Sequence, residues 1–308
     1  MSRYASGNIA ADRRYLWAEA SRKAGDLPAA ADLFAQALDC APGWPAAAFA
    51  LGECHEAMGQ PEAAKAAFQA CLAADAADPF GAGLRLARLS GGSGPAAMPE
   101  RYVAQLFDDY AGRFDEHLVG ALDYRGPAIL RAALEGAMMR AGRPFAFSAA
   151  MDLGCGTGLM AAAMAGAAQA MDGIDLSPAM VAKAGQTGLY RRLATGDLVT
   201  LLRASVAPGS YDLMLAADVL VYIGDLEPLM GEVRRCLLPG GRFAFTVQAG
   251  TGTGYVLGAD MRYAHAETYL RALAAAHDFA VEALEPAVTR RDAGRDVPGF
   301  VAVLGRSA

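Results

Sequence analysis

The sequence predicts an all-α amino-terminal region followed by an α/β domain with a mostly parallel sheet. Three observations carry that prediction. A 34-residue repeat is confined to the first ninety residues, short apolar runs alternate with helical stretches from residue 145 onward, and a glycine-rich turn, "DLGCGTG" at 152–158, follows the first such run. Strand–helix alternation of this kind implies a parallel sheet covered by helices on both faces. The composition suits a globular protein: of 308 residues, 54% are hydrophobic and 19% charged, enough apolar surface for one large domain or two smaller ones. A formal charge of −6 leaves no basic footprint for nucleic acid. The five cysteines are odd in number and lack CxxC spacing, which points to reduced thiols in a cytoplasmic protein and to no zinc site. The amino terminus lacks the apolar core of a secretory signal, and the uncharged run 153–171 is interrupted by glycines, a threonine and a glutamine. Both readings imply a soluble protein with no membrane span.

The amino-terminal elements follow from the repeat. "AGDLPAAADLFAQAL" (24–38) aligns with "MGQPEAAKAAFQACL" (58–72), pairing Gly25 with Gly59, Ala30 with Ala64, Phe34 with Phe68 and Leu38 with Leu72. Each unit reads as two antiparallel helices with a glycine turn, small alanines allowing close approach and a phenylalanine filling the gap. The expected helices are 12–24, 28–40, 45–58 and 61–74, with a shorter capping helix at 79–89. Period and pattern resemble the tetratricopeptide repeat. Such repeats imply oligomerisation, for example a homodimer, or binding of a protein partner. Residues 1–90 are thus expected to form the repeat domain, and the "SGGSGPAAMPE" segment to supply a linker over 91–100. Residues 101–144 read as amphipathic helices with an aromatic stripe through Tyr102, Tyr110 and Phe114, either packing in the core or forming a lid over a ligand.

The second domain, 145–308, is read element by element. "FAFSAAMDL" is a strand, followed by the glycine turn and a helix over 157–168. "MDGID" is a strand ending at Asp175, and the next helix starts with Ser177 as cap and Pro178 at its first position. "YRRLATGD" supplies a third strand ending near Asp197, "YDLMLAADVLVYI" a fourth, then "DLEPLMGEVRRCL" a helix and "RFAFTVQ" a fifth strand. The last segment reads as two strands around a loop, with Arg290, Arg291 and Arg295 solvated.

The glycine spacing at Gly154, Gly156 and Gly158 is G-x-G-x-G, not the G-x-G-x-x-G of dinucleotide folds. With Asp152 before it, Asp175 at the next strand end and Gly196-Asp197 after the third strand, residues 101–308 resemble the class I S-adenosylmethionine-dependent methyltransferases. "LLPGGRF" matches their later turn, and "LFDDYAGRFDEHLVGALDYRGP" resembles the segment that precedes the catalytic domain in bacterial TPR-repeat-containing members. The resemblance implies a Rossmann-like domain, a seven-stranded sheet with an antiparallel last strand, and S-adenosylmethionine as cofactor. It also implies the cofactor-binding set Asp152, Gly154, Cys155, Gly156, Gly158, Asp175, Leu176, Met180, Asp197, Leu198 and Asp218. The chemistry of these residues fits that molecule. Glycines admit the main chain to a zwitterionic methionine end, Asp152 orients its ammonium directly or through water, and Asp175 accepts from two ribose hydroxyls. Met180 either packs on the adenine or fills the core, Asp197 accepts from the adenine amine or closes a turn, and Cys155 is a small residue with no nucleophilic role.

Methyl transfer to an acceptor is in-line displacement, helped chiefly by alignment. Asp218, Tyr222 and His265 are the candidate catalytic residues, with Asp225 and His117 as further possibilities. Tyr110, Phe114, Tyr124 and Arg125 are candidates for closing over cofactor or acceptor, and Arg125 would suit an anionic acceptor. No acidic cluster indicates a metal. A small-molecule acceptor is expected ahead of a protein one. The competing readings are a dinucleotide-dependent oxidoreductase and a non-enzymatic assembly module.

Overall fold

A computed structural model describes residues 5–92, 94–113, 124–292 and 294–307. The chain forms two compact units, Met1–Tyr102 and Val103–Ala308.

The first unit is all helical: α1 (Ile9–Lys23), α2 (Leu27–Cys40), α3 (Pro45–Ala57), α4 (Pro61–Ala74) and α5 (Ala82–Leu89). Helix α1 starts three residues before the expected position because Asn8 accepts hydrogen bonds from the amides of Ala10 and Ala11, a side-chain cap that fixes the first turn. Helix α5 starts three residues late because the Asp78 carboxylate takes the Ala82 and Gly83 amides. The repeat pairs behave alike: Ala30, Ala64, Phe34 and Phe68 are all fully buried. Gly25 and Gly59 turn between helices with φ of +84° and +71°, left-handed values that suit glycine. Of the two tryptophans, Trp44 is buried and Trp17 is 55% exposed.

Helix α6 (Glu100–Tyr110) runs through the boundary into the second unit, where α7 (Gly126–Arg140) precedes the sheet. The strands and helices that follow are β1 (Ala150–Leu153), α8 (Leu159–Ala163), β2 (Met171–Asp175), α9 (Pro178–Gln186), β3 (Arg192–Thr195), α10 (Leu198–Ser205) and β4 (Tyr211–Ala216). After them come α11 (Glu227–Cys236), β5 (Leu237–Gly250), β6 (Tyr255–Leu257), β7 (Tyr263–Ala266), α12 (Glu267–Ala276), β8 (Phe279–Asp292) and β9 (Arg295–Arg306). The parallel part runs β3-β2-β1-β4-β5, and β9 adds to β5 antiparallel with β8 beyond it. That is the expected seven-stranded arrangement. An unexpected insertion adds β7, parallel to the end of β5, and β6, antiparallel to β7, making nine strands among the described residues.

Both faces of the sheet are covered. One buries Leu198, Leu202, Leu229, Val233 and Leu270 of α10, α11 and α12; the other buries Leu130, Leu134 and Met160 of α7 and α8. Three elements are shorter than their apolar runs suggest. Strand β1 loses the residues before Ala150. Helix α8 ends at Ala163, because the chain turns back through Gly166, φ +81°. Strand β4 ends at Ala216, because Asp218 takes φ +59° and the run continues as a 3-10 turn over Leu220–Tyr222. No helix among the described residues is long and apolar enough to cross a membrane.

Candidate active site

The parallel register aligns the carboxyl ends of β1, β2 and β4: Asp152 lies beside Gly173 and Leu215, and Leu153 beside Ile174. Strand order reverses between β2-β1 and β4-β5, the position where open α/β sheets leave a crevice for ligands. The glycine turn sits at its mouth. The amides of Gly154 and Cys155 both donate to the Ile174 carbonyl, at 2.7 and 2.9 Å, which curls the chain over the end of β2. All three glycines have left-handed φ values, +70°, +53° and +99°. At Gly154 a side chain has no room as well, since a Cβ would lie 2.3 Å from Val219 Cγ2.

Asp152 is 1% exposed. One carboxylate oxygen accepts from the Tyr190 hydroxyl at 2.6 Å, while Oδ1 is buried with no hydrogen-bond partner among the described residues. Burial, only partly offset by the Tyr190 hydrogen bond, pushes its pKa up to about 7, and the nearby Asp175 charge adds to the rise. A buried carboxylate oxygen lacking a donor is costly, and a cationic ligand group would satisfy it. Tyr190 was missed by sequence reasoning. Its signal is Gly173, where a Cβ would lie 2.9 Å from the Tyr190 ring; glycine inside a strand marks such a close approach.

Asp175 accepts from the Gly156 and Ser177 amides at 2.8 and 2.9 Å, and burial raises its pKa despite these donors. Ser177 caps α9 as expected, its hydroxyl accepting from Met180 N. That hydroxyl in turn donates to Asp108 of α6 at 2.5 Å, and Asp108 also accepts from the Ala179 amide. Asp108 was not singled out from the sequence; it lies on the half of α6 that belongs to the second unit. Its neighbour Phe107 packs edge-on against Tyr222, ring centroids 5.4 Å apart. The carboxyl end of α6 therefore touches both the β2 end and the β4 end of the crevice. Tyr110 is half-buried on the same helix. Phe114 and His117 lie outside the described residues.

Met180 is fully buried, so it packs in the core and not on an open ligand face. Leu176, half-buried directly after Asp175, presents apolar surface there instead. Leu198 belongs to the core on α10. Asp197 caps α10, accepting from the Thr200 amide at 2.8 Å. Cys155 is buried, and burial together with the Asp152 and Asp175 charges keeps its thiol protonated.

At the β4 end, Asp218 Oδ1 receives Arg290 Nη1 at 2.6 Å, and Arg290 Nη2 reaches Gln248 Oε1 at 3.0 Å. Arg290 is 4% exposed, which corrects the solvated reading. The β8–β9 register shifts between Val288 and Arg291, and such an irregularity re-aims side chains. The Asp218 amide donates to Thr246 Oγ1, fixing its left-handed backbone. Tyr222 accepts from Arg262 Nη1 at 2.5 Å, and its neighbour Asp225 accepts from the Tyr269 hydroxyl. Tyr124 has its hydroxyl pushed up by burial and then by the charges of Asp218 and Asp152. Gly126 makes room for it: a Cβ there would fall 2.5 Å from the Tyr124 hydroxyl. Arg125 is exposed at the start of α7, its amide donating to the Thr289 carbonyl.

His265 is not an available base. It is fully buried, its Nε2 lies 3.0 and 3.1 Å from the carbonyls of Ile223 and Gly224, and burial lowers its pKa to about 4. Two acceptors at Nε2 require the proton there, so the neutral ring anchors the turn after β4.

Residues 151–245 match a family model described as methyltransferase domain, and residues 21–87 one described as tetratricopeptide repeat. A ubiquinone biosynthesis O-methyltransferase from Thiobacillus denitrificans is 29% identical over 157 residues, covering 49% of this chain and 66% of that enzyme. The match thus spans just under two thirds of that relative's length. Among solved structures, the N-methyltransferase NodS of Bradyrhizobium japonicum WM9, in complex with S-adenosylhomocysteine, is 19% identical with TM-score 0.51, covering 67% of this chain and 99% of that one. The 1,6-didemethyltoxoflavin-N1-methyltransferase of Burkholderia thailandensis, with bound 1,6-didemethyltoxoflavin and S-adenosylhomocysteine, is 20% identical with TM-score 0.50, covering 70% and 92%. These structures share the fold of the second unit.

Proposed function

We propose that this chain, a tetratricopeptide-repeat unit joined to a methyltransferase domain, is an S-adenosylmethionine-dependent methyltransferase. The observation that carries the reading is Asp152: a buried carboxylate with an oxygen unpartnered among the described residues, beside a glycine turn that holds the main chain open. That combination fits the ammonium and carboxylate of a methionine end. Asp175, already ringed by the Gly156 and Ser177 amides, would hold the ribose hydroxyls. Leu176 would lie on the adenine, and Asp197, while capping α10, would accept from its amine. When bound, the cofactor supplies an electrophilic methyl group on a sulfonium.

The residues of the chain supply alignment. Tyr124, Asp218 and Tyr222 surround the region between the methionine end and the β4 end, and Arg290 fixes the Asp218 carboxylate in one position. With Asp218 held by a guanidinium, its role in this reading is to orient the acceptor. Positioning of this kind provides much of the acceleration of an in-line displacement. Phe107 and Asp108 close one wall over the site through α6, which excludes water from the reacting groups.

The acceptor in this reading is a small molecule, in line with the Thiobacillus denitrificans relative being a ubiquinone biosynthesis O-methyltransferase. The repeats serve oligomerisation or partner binding, not chemistry. Calorimetry of the full chain with S-adenosylhomocysteine tests the cofactor: micromolar binding that is lost in Asp152→Ala is expected. Binding of NAD in its place would overturn the reading.

A further inference from the structure

The carboxyl end of β5 and the β6–β7 insertion carry a chain of polar contacts. Asp218 holds Arg290, Arg290 donates to Gln248, and Gln248 Nε2 donates to Asp260 at 3.0 Å. Asp260 Oδ1 then accepts the backbone amide of Arg262 at 3.2 Å. Within this network Arg290 is neutralised by Asp218, but the Arg262 guanidinium makes no ion pair among the described residues. Its Nη1 is spent on the Tyr222 hydroxyl, and its carbon lies 5.1 Å from the centre of the Tyr222 ring. The cation–π contact and the hydrogen bond fix the planar group from two directions, and Nε and Nη2 are left with no protein acceptor among the described residues. The guanidinium is half-buried, and its charge is favoured by Tyr222 and by the nearby Asp218 and Asp260 carboxylates. Neither carboxylate pairs with it directly among the described residues, so its free edge remains open to a further acceptor. The backbone just before it is also strained, Met261 having φ +58°, and such strain gathers where a side chain must be held for use. Asp218 is already held by Arg290, and Asp260 is exposed, so its charge is screened by solvent.

We propose that Arg262 is the specificity residue for the methyl acceptor, and that the acceptor carries an ionised acid group, carboxylate or phosphate, received by the Nε–Nη2 edge. A planar guanidinium edge presents two parallel donors, the geometry that takes an acid group bidentately. Tyr222, to which Arg262 is fixed, packs against Phe107 and lies near Asp218, so an acid bound there places the rest of the acceptor at the β4 end of the crevice. The proposal rests on the methyltransferase reading and sharpens it from a small molecule to an acidic one. It also moves the recognition of an anion from Arg125, exposed on α7, to the insertion.

The test uses the full chain saturated with S-adenosylhomocysteine and three probes of one shape class: benzoate, phenyl phosphate and uncharged benzamide, with binding read by ligand-observed NMR titration. The expected result is that at least one acid binds about tenfold or more tighter than benzamide. Benzoate and phenyl phosphate, compared with each other, distinguish a carboxylate from a phosphate acceptor. In Arg262→Gln the acids fall to the benzamide level, whereas S-adenosylhomocysteine affinity stays within about twofold, which also reports that the variant is folded. Arg262→Lys, which keeps the charge and loses the fork, retains a reduced preference. Equal binding of acids and amide, binding of none of the three, or an acid preference that survives Arg262→Gln overturns the proposal. Failure of S-adenosylhomocysteine itself to bind is a separate result, and it overturns the methyltransferase reading beneath it.

Discussion

Asp152 brings an acid–base consequence to cofactor binding. Its pKa of about 7 lies well above the roughly 3.9 of an unfolded chain. In the ligand-free protein the sign is therefore unfavourable at neutral pH: the group's contribution to stability is full below about 4 and falls as pH rises towards 7. Ligand binding has the opposite sign, because an ammonium pairs with the ionised form. S-adenosylhomocysteine affinity is expected to rise about tenfold between about pH 6 and about pH 8, with proton release on binding at the lower pH. Asp152→Asn should flatten that profile; calorimetry in two buffers of different ionisation enthalpy measures both. Gly154 is the second residue-scale test. Gly154→Ala meets Val219 at 2.3 Å and takes a left-handed φ, together costing about 3 kcal/mol. Val219→Ala should recover about 1 kcal/mol of that in the double variant. Gly156→Ala, with φ +53° but open space around it, should cost only about 1 kcal/mol. Urea midpoints read all three. The glycines, Asp152 and Asp175 were legible in the sequence because a tight turn and its flanking acids are local features. Tyr190, Asp108 and Arg290 were not, because each meets its partner across 38, 69 or 72 residues of chain.

Helix α6 is the element whose role sequence periodicity left undecided between core and lid. Its aromatic stripe is visible as spacing, but Asp108 on the same turn is what ties it to α9. The carboxylate takes one hydroxyl and one amide at the α9 amino terminus, which makes it a cap supplied from another helix. Asp108→Ala should cost about 1 kcal/mol. Hydrogen exchange should show lost protection over residues 103–110 while β1 and β4 keep theirs; equal loss across the sheet would contradict a local role. Elements defined by caps and turns were read closely, as α9 with Ser177 and Pro178 illustrates. Apolar runs placed strand ends poorly in both directions: β4 stops early where Asp218 turns left-handed, unannounced by "AADVLVYI", while β5 extends beyond "RFAFTVQ" at both ends, to Leu237–Gly250. The β6–β7 insertion was missed for a related reason. Strands of three and four residues carry too little alternation to stand out from loop.

For the whole molecule, the division after Tyr102 predicts that the second unit carries cofactor binding by itself. A fragment of residues 95–308, which keeps all of α6, should bind S-adenosylhomocysteine within about threefold of the full chain; a fragment starting after Tyr110 should bind at least tenfold more weakly. Calorimetry on the two fragments decides it. The repeat period and the strand–helix alternation made both units recognisable from sequence, since each is a pattern spread over many residues and tolerant of local error. The placement of the tryptophans gives the intact protein an optical property. Trp17 and Trp44 are the two tryptophans of the chain, and both belong to the repeat unit, while the second unit holds tyrosines as its fluorophores. Red-edge excitation therefore observes the helical repeats alone, and far-ultraviolet dichroism observes both units. A ligand that binds at the glycine turn and displaces the tryptophan melting curve would do so only by transmitting its binding energy across residue 102, so one dye-free thermal scan distinguishes autonomous from energetically linked units.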